Sequence, residues 1–294
     1  MAQSTREIRR RIKSVKSTQQ ITRAMQMVAA VKLNRARSLA ENSRPYVERL
    51  AMLMRIIRSS EMAALAEDYP VFRTKEGTKL LLIVITSDRG LCGTFNINMI
   101  NAVEQFLESK KEKQVTIFAV GKKGNDALLH KGHSVDKFFP VPTGAALSSD
   151  LHTINTLANE YFTAQSVDEV HICYTRFVNV LRYEPTDLKL LPLSPLGEEE
   201  KKHLIRGEID FIMEPSFQEL ATSLIPQYIE SEIYHCLIES MTSEYAARMV
   251  SMRNATDNAD EMIKALTLTY NKARQASITR ELIDIIGGVE ALKG

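Results

Sequence analysis

From Phe217 to Ile286 the chain runs for about 70 residues with one proline, Pro226, and no glycine, a composition that suits one long helix or two joined end to end. At a rise of ~1.5 Å per residue such a run is on the order of 100 Å long, more than a compact domain of this size is wide. A rod of that length needs a partner along it. Its apolar residues at three- and four-residue spacing are Leu237, Met241, Tyr245, Met252, then Met262, Leu266, Thr269, Ala273, Ala276 and Ile283, and this stripe is the predicted seam. Alanine and threonine in a seam let two backbones approach but bury little apolar area per residue. Length, rather than a rich interface, holds the rod.

The partner is predicted at the other end of the chain, from about Ser4 to Ser60. Ser4 or Thr5 is placed to cap a helix there, with Glu7 available to complete a capping box. A stripe at Ile8, Ile12, Val15, Gln19, Thr22, Gln26, Ala29, Leu33 and Ala36 keeps an average spacing of about 3.5. A second stripe of Ile21, Met25 and Val28 lies beside it and must meet a different neighbour. Pro45 interrupts the run, as a kink or as a fresh start after Ser43. The two ends therefore pair as an antiparallel coiled coil with a domain inserted between them.

Between the rods the period changes. Lys79 to Thr86, Gln114 to Gly121 and Asp168 to Phe177 are apolar runs of strand length, and helical patterns separate them at Ile97 to Lys111, Asn125 to Lys131, and from Ser148 or Ser149 to about Gln165. After Phe177 the residues predict one more extended pair turning at Glu184 and Pro185. The fold class is α/β plus a long antiparallel coiled coil, with a small Rossmann-like α/β domain inserted between the N- and C-terminal helices. The boundaries read 1–75 for the N-terminal helix, 76–209 for the inserted domain and 210–294 for the C-terminal helix.

Several function classes lose support. No stretch approaches the ~18 to 20 uncharged apolar residues of a bilayer span, and the arginine-rich opening lacks an apolar signal core, so it reads as mature sequence. Cys92, Cys173 and Cys236 are odd in number, far apart and without CxxC spacing, which argues against a disulfide framework and against zinc. His130 and His133 read as surface residues around a turn at Gly132. The turn Ser87 to Asn96, SDRGLCGTFN, sits where a nucleotide-binding fold holds phosphate, but it is neither GxGxxG nor a P-loop. Asp88 and Arg89 read as local caps or ion pairs.

Charge is uneven. The net value is +2, yet Arg6, Arg9, Arg10, Arg11, Lys13, Lys16, Arg23, Lys32, Arg35 and Arg37 stand against Glu7 alone across the first forty residues. Such a block asks for an anionic partner, an acidic protein surface or nucleic acid. No aromatic residue interleaves these basics before Tyr46, so base stacking is unsupported. Two rival readings follow: a basic coiled-coil nucleic-acid-binding protein, and a nucleotide-dependent enzyme resting on Gly90 and Gly93.

Three stretches carry a family resemblance over nearly the whole chain: IRRRIKSVKSTQQITRAMQMVAAVK, TSDRGLCGTFNIN, and YAARMVSMRNATDNADEMIKALTLTYNKARQASITRELIDIIGG. In this order they resemble the gamma subunit of F-type ATP synthase, in the bacterial type that lacks the chloroplast regulatory cysteine insertion. Ile278, Thr279, Glu281, Asp284 and Gly288 match the closing signature, and Val289 stands where it usually has alanine. The resemblance implies a non-catalytic central-stalk rotor without cofactors, metal or nucleic acid. Its partners would be three alpha and three beta subunits, the epsilon subunit and the c-ring. Its place would be peripheral, at the cytoplasmic face of the bacterial inner membrane.

Residue by residue, the resemblance puts Met25 and Arg248 near the beta-subunit lever contacts, and Arg274, Gln275, Thr279 and Glu281 at the beta catch loop. Phe211 and Glu214 would face the c-ring at the foot, with phenylalanine where tyrosine is often found. Ile283, Ile285, Ile286, Val289 and Leu292 surround the helix axis rather than line one face. A helix apolar all round is swallowed by a partner, which predicts an apolar bearing for the tip at Ile283, Ile286 and Val289.

Overall fold

The computed structural model describes residues 5–59, 70–72, 77–144, 146–193 and 217–291. In chain order they form α1 (Thr5–Ser59), a short 3-10 turn (Pro70–Phe72), β1 (Lys79–Ile85), α2 (Phe95–Ser109), β2 (Gln114–Val120), α3 (Lys122–His130), β3 (Lys137–Phe139), α4 (Ala146–Thr163), β4 (Glu169–Phe177), β5 (Tyr183–Leu191) and α5 (Phe217–Ala291). The chain divides into two compact units, Met1–Ala30 with Arg248–Gly294, and Val31–Ala247.

In the second unit the five strands form one sheet of order β3-β2-β1-β4-β5. β1, β2, β3 and β4 run parallel, and β5 pairs antiparallel with β4. β1 lies at the centre, and Leu80 through Ile85 are all buried, as a strand covered on both faces must be. Leu80, Leu82 and Val84 pack with Met99, Ile100 and Val103 of α2 and Leu128 of α3. Their alternates Leu81, Ile83 and Ile85 join a larger core with Met54 and Ile57 of α1, Leu151, Ile154 and Ala158 of α4, and Ile225, Ile229, Ile233 and Leu237 of α5. The period of two along one strand thus feeds two separate cores.

One alternative left open by the sequence closes here, and two sequence expectations change. α1 runs unbroken through Pro45, so no fresh helix begins after Ser43. α5 runs through Gly287 and Gly288 to Ala291, inside the 210–294 helix read from sequence, and a Cβ added at either glycine would meet nothing within 4 Å. The turn after β4 is at Asn179, not at Glu184 and Pro185: the Asn179 side chain accepts the N–H groups of Leu181 and Arg182, both at 2.9 Å, while Glu184 and Pro185 lie inside β5. Proline is tolerated there because β5 is an edge strand. The helices α2, α3 and α4 also begin two or three residues before their predicted starts, and the short strand β3 carried no sequence signal.

In the first unit, residues 5–30 of α1 run antiparallel to residues 248–291 of α5. Gln19 Nε2 donates to Asp260 at 2.7 Å, and the hydroxyls of Thr22 and Thr256 lie 2.8 Å apart. The predicted α1 stripe holds at every position from Ile8 to Ala29, each being buried or half-buried. On α5 it does not. Met262, Thr269, Ala276 and Ile283 are exposed, and the seam runs through Met252, Thr256, Ala259, Ile263, Leu266, Tyr270, Ala273 and Ser277. Eleven residues bring a helix back to within about 20° of its starting face, whereas ten leave it about 80° short. The step from Met252 therefore lands on Ile263, one residue past the predicted Met262.

Candidate functional site

In an open α/β sheet a ligand is held outside the carboxyl ends of the strands, where the strand order reverses, which here is between β1 and β4. The carboxyl end of β1 is packed on both sides, toward β2 and β3 by the contacts of Thr86 and Asp88 and toward β5 by those of Cys92 and Phe95. Thr86 follows β1, and its hydroxyl accepts the N–H of Gly124 at 2.8 Å. Gly121 and Gly124 press so closely on Thr86 that a Cβ on either would come within 2.5 Å of its atoms. Asp88 takes the N–H of Lys122, at the start of α3, at 2.9 Å and that of Val141 at 3.1 Å. Its carboxylate sits at the helix N-terminus that would otherwise attract a phosphate. Cys92 and Phe95 then pack against Ala247 of α5, with Tyr183 beside them. Asp88 is thus the local cap that its sequence context predicts.

The histidines part company. His130 is exposed, but His133 is half-buried, with Nε2 2.9 Å from Glu104, because α2 lies alongside the turn. All three cysteines are free and buried, and burial pushes the Cys173 thiol up to about 12 and the Cys236 thiol well above its ordinary value. Among the described residues no group of histidine, cysteine and carboxylate side chains has the makings of a metal site, and no helix is long and apolar enough to cross a membrane.

What remains open is the surface of the long helices. Arg274, Gln275, Thr279 and Glu281 are all exposed, and at 100° per residue they share roughly 160° of the α5 surface, beside the seam rather than in it. Glu281 accepts a hydrogen bond from Ser277 at 3.3 Å, so its carboxylate is steered along that face. Met25 and Arg248 are half-buried. The flanking stripe on α1 is left uncovered, with Ile21 58% and Val28 57% exposed. Arg6, Arg9, Arg10, Lys13 and Lys16 line one shallow groove on the same helix.

At the tip Ile283 is 61%, Ile286 62% and Val289 48% exposed. The reason is register: carrying the Gln19–Asp260 pairing onward brings Thr5, the first described residue of α1, opposite about residue 274. Phe211 and Glu214 lie outside the described residues. The reading from sequence missed the buried polar run Ser240, Thr242, Ser243 and Glu244 of α5. Its signal was present in the string ESMTSE, which interrupts an apolar stretch without ending the helix.

Comparison with known proteins gives a single family. The family model for ATP synthase matches residues 4–292. The ATP synthase gamma chain of Syntrophobacter fumaroxidans is 41% identical over 291 residues, covering 98% of each chain. A chain of the Tetrahymena thermophila mitochondrial ATP synthase central stalk and c-ring structure aligns with a TM-score of 0.56 at 25% identity, covering 80% of this chain and 99% of that one. A chain of the Euglena gracilis mitochondrial ATP synthase structure shares the fold with a TM-score of 0.67 at 22% identity, over 98% of this chain and 94% of that one. With its inserted sheet and its paired terminal helices matched end to end, this chain belongs to the ATP synthase gamma chain family.

Proposed function

We propose that this chain is the central-stalk rotor of an ATP synthase, turning with a proton-driven c-ring and changing the nucleotide sites of an alpha and beta subunit ring without catalysing anything itself. A gamma chain 41% identical to this chain over 98% of its length carries the reading. Two features of the molecule support it: Asp88 takes the α3 N-terminus and Ala247 packs on the turn after β1, where a Rossmann-like sheet would offer backbone N–H groups to a phosphate, and the helix pair exposes apolar and basic faces that await a partner. The basic face of α1 suits an acidic protein surface as well as nucleic acid, and membership of the gamma chain family favours the former.

The mechanism follows from asymmetry. Three beta subunits of one sequence differ only if something without threefold symmetry touches them, and a two-helix rod makes different contacts with each. Each orientation then favours a different nucleotide state by its differential contact energy, and turning the rod moves those preferences round the ring. Met25, Arg248, Arg274, Gln275, Thr279 and Glu281 are assigned to the beta-subunit contacts, and Ile283, Ile286 and Val289 to an apolar bearing. The epsilon subunit and c-ring would meet the sheet domain end, with Phe211 and Glu214 toward the ring. The proposed domain boundaries are 1–75, 76–209 and 210–294, and the proposed site of action is the cytoplasmic face of a bacterial inner membrane.

Reconstitution with purified alpha and beta subunits tests this. The chain should restore cooperative ATP hydrolysis while hydrolysing nothing alone. Replacing Arg274, Gln275 and Thr279 together by alanine should lower the restored rate on the order of tenfold if they act as interface anchors. Hydrolysis by the chain alone, or no restoration, would refute the reading.

A further inference from the structure

Both long helices grip the sheet at the carboxyl end of β4. β1 pairs with β4 only as far as Val84 opposite Cys173, so beyond that residue β4 has no strand on one side. On the other side Pro185 stands opposite Thr175 and has no N–H to give. The backbone groups of Thr175 and Phe177 that β1 no longer reaches are taken by α5. Thr175 N–H donates to Ser240 Oγ at 2.9 Å, Ser243 Oγ donates to the Thr175 carbonyl at 3.2 Å, and Phe177 N–H donates to Glu239 Oε2 at 2.7 Å. Three side chains on one face of a helix thus stand in for a missing strand. Arg37 of α1 holds its guanidinium 5.1 Å from the centre of the Phe177 ring, so α1 meets the same strand end.

We infer that Glu239, Ser240 and Ser243 lock α5 against rolling on the sheet and so transmit torque between the α/β domain and the C-terminal helix. The inference rests on the rotor reading above. The apolar contacts of Ile225, Ile229, Ile233 and Leu237 with the sheet core oppose separation, but hydrophobic burial is non-directional and tolerates small slides. A hydrogen bond weakens steeply as its angle departs from linear. When the groups are buried, as Thr175, Ser240 and Ser243 are, a broken bond leaves them without water to replace it. Directional bonds to the backbone of an inner strand are therefore the stiff element of the joint.

The test uses the complex of this chain with alpha and beta subunits fixed to a surface, and a bead attached through K137C on the exposed start of β3. The angular spread of the bead in a nucleotide-stalled complex reads torsional stiffness. S240A/S243A and E239A should each widen the angular variance by about twofold or more, since each removes directional restraint and leaves the apolar contacts in place. Hydrolysis at saturating ATP should stay unchanged, and E239Q, which keeps an acceptor oxygen, should restore the spread of the unaltered chain. Should S240A/S243A fail to fold, E239A carries the test, because Glu239 is only half-buried. Equal variances throughout would overturn the inference while leaving the rotor reading intact. An unaltered chain that forms no complex with alpha and beta subunits would overturn both.

Discussion

The sheet domain and the helix pair formed by residues 5–30 and 248–291 bury apolar surface in opposite ways. In β1 six consecutive residues are 1% exposed or less, because α2 and α3 cover one face while α1, α4 and α5 cover the other. In the helix pair the seam includes Gln19, Thr22, Thr256 and Ser277, and beyond Ser277 every described residue through Val289 is exposed. A parallel sheet brings its own cover, since each crossover lays a helix on it. Two helices have only one seam to share, so their remaining apolar residues mark where other molecules belong.

The largest way to break that comparison is to remove a side chain the sheet domain cannot replace. Phe118 is fully buried and meets Phe139 and Tyr161 edge-on, with ring centres 6.1 Å and 5.2 Å away. Phe118→Ala should cost about 3–5 kcal/mol, the usual range for an aromatic cavity, read as a shifted urea midpoint of the isolated chain. A cost near zero would mean that this core does not fold as a unit of its own.

This contrast also governs what could be read from sequence. The strands were legible because Lys79 to Ile85 and Gln114 to Val120 are short apolar runs between turns, and the first rod because its nine-position stripe never loses phase. The later α5 seam was not: Met252 and Met262 look like one face until the helical repeat is counted, and Ile263 and Tyr270 take the inside positions instead. Asn179 hid the hairpin turn, because its side-chain bonds to Leu181 and Arg182 are a local device with no periodicity. The polar contacts of α5 with β4 were illegible for a different reason. They depend on where β1 ends relative to β4, which is a register and not a residue pattern.

Acid should sharpen the comparison next, because the sheet domain contains two buried groups whose ionisation it resists changing. Burial opposes charge on Glu169, but hydrogen bonds from Lys113 at 2.5 Å and Lys189 at 3.1 Å outweigh it and hold the carboxyl at about 2. His171 is brought down to about 4, chiefly by burial, and neither ring nitrogen has a hydrogen-bond partner. Both folded values lie below those of the open chain, so the unfolded state binds more protons as pH falls and stability is lost in that direction. His171 accounts for the window from about 6.5 down to about 4, and Glu169 for the window from about 4.5 to about 2. Between pH 6.5 and 4.5 unfolding free energy should fall by up to about 1.4 kcal/mol per pH unit, and His171→Leu should flatten that slope. An unchanged slope in the variant would mean that His171 accepts a proton in the folded chain as readily as in the open one.

A smaller effect separates the seam from the core. Thr256→Val removes one partner of Thr22, at 2.8 Å, and leaves its half-buried hydroxyl with the Gln19 carbonyl at 3.0 Å, so it should cost no more than about 1 kcal/mol. Thr22→Val with Thr256→Val should recover most of that loss, since two apolar residues of the same shape suit a seam at least as well. The double-mutant cycle, followed by the helical signal on thermal unfolding, isolates the pair. Full additivity would show that the two hydroxyls do not interact.

The smallest effect on the isolated chain belongs at the tip, where it also says the most about the comparison. Ile283 and Ile286 are 61% and 62% exposed, so glutamine at both should leave stability within about 0.5 kcal/mol, as for other exposed positions. Glutamine is also a good helix former, which removes any local reason for a change. If that end of α5 is one half of an apolar interface, the same variant should assemble poorly with alpha and beta subunits, and its deficit should appear as faster dissociation more than slower binding. A residue that contributes nothing to folding yet is required for assembly is what an apolar tip without a seam partner implies. Equal assembly by the variant and the unaltered chain would leave those isoleucines without a role, and the contrast between a self-covered sheet and an uncovered helix would lose its functional meaning.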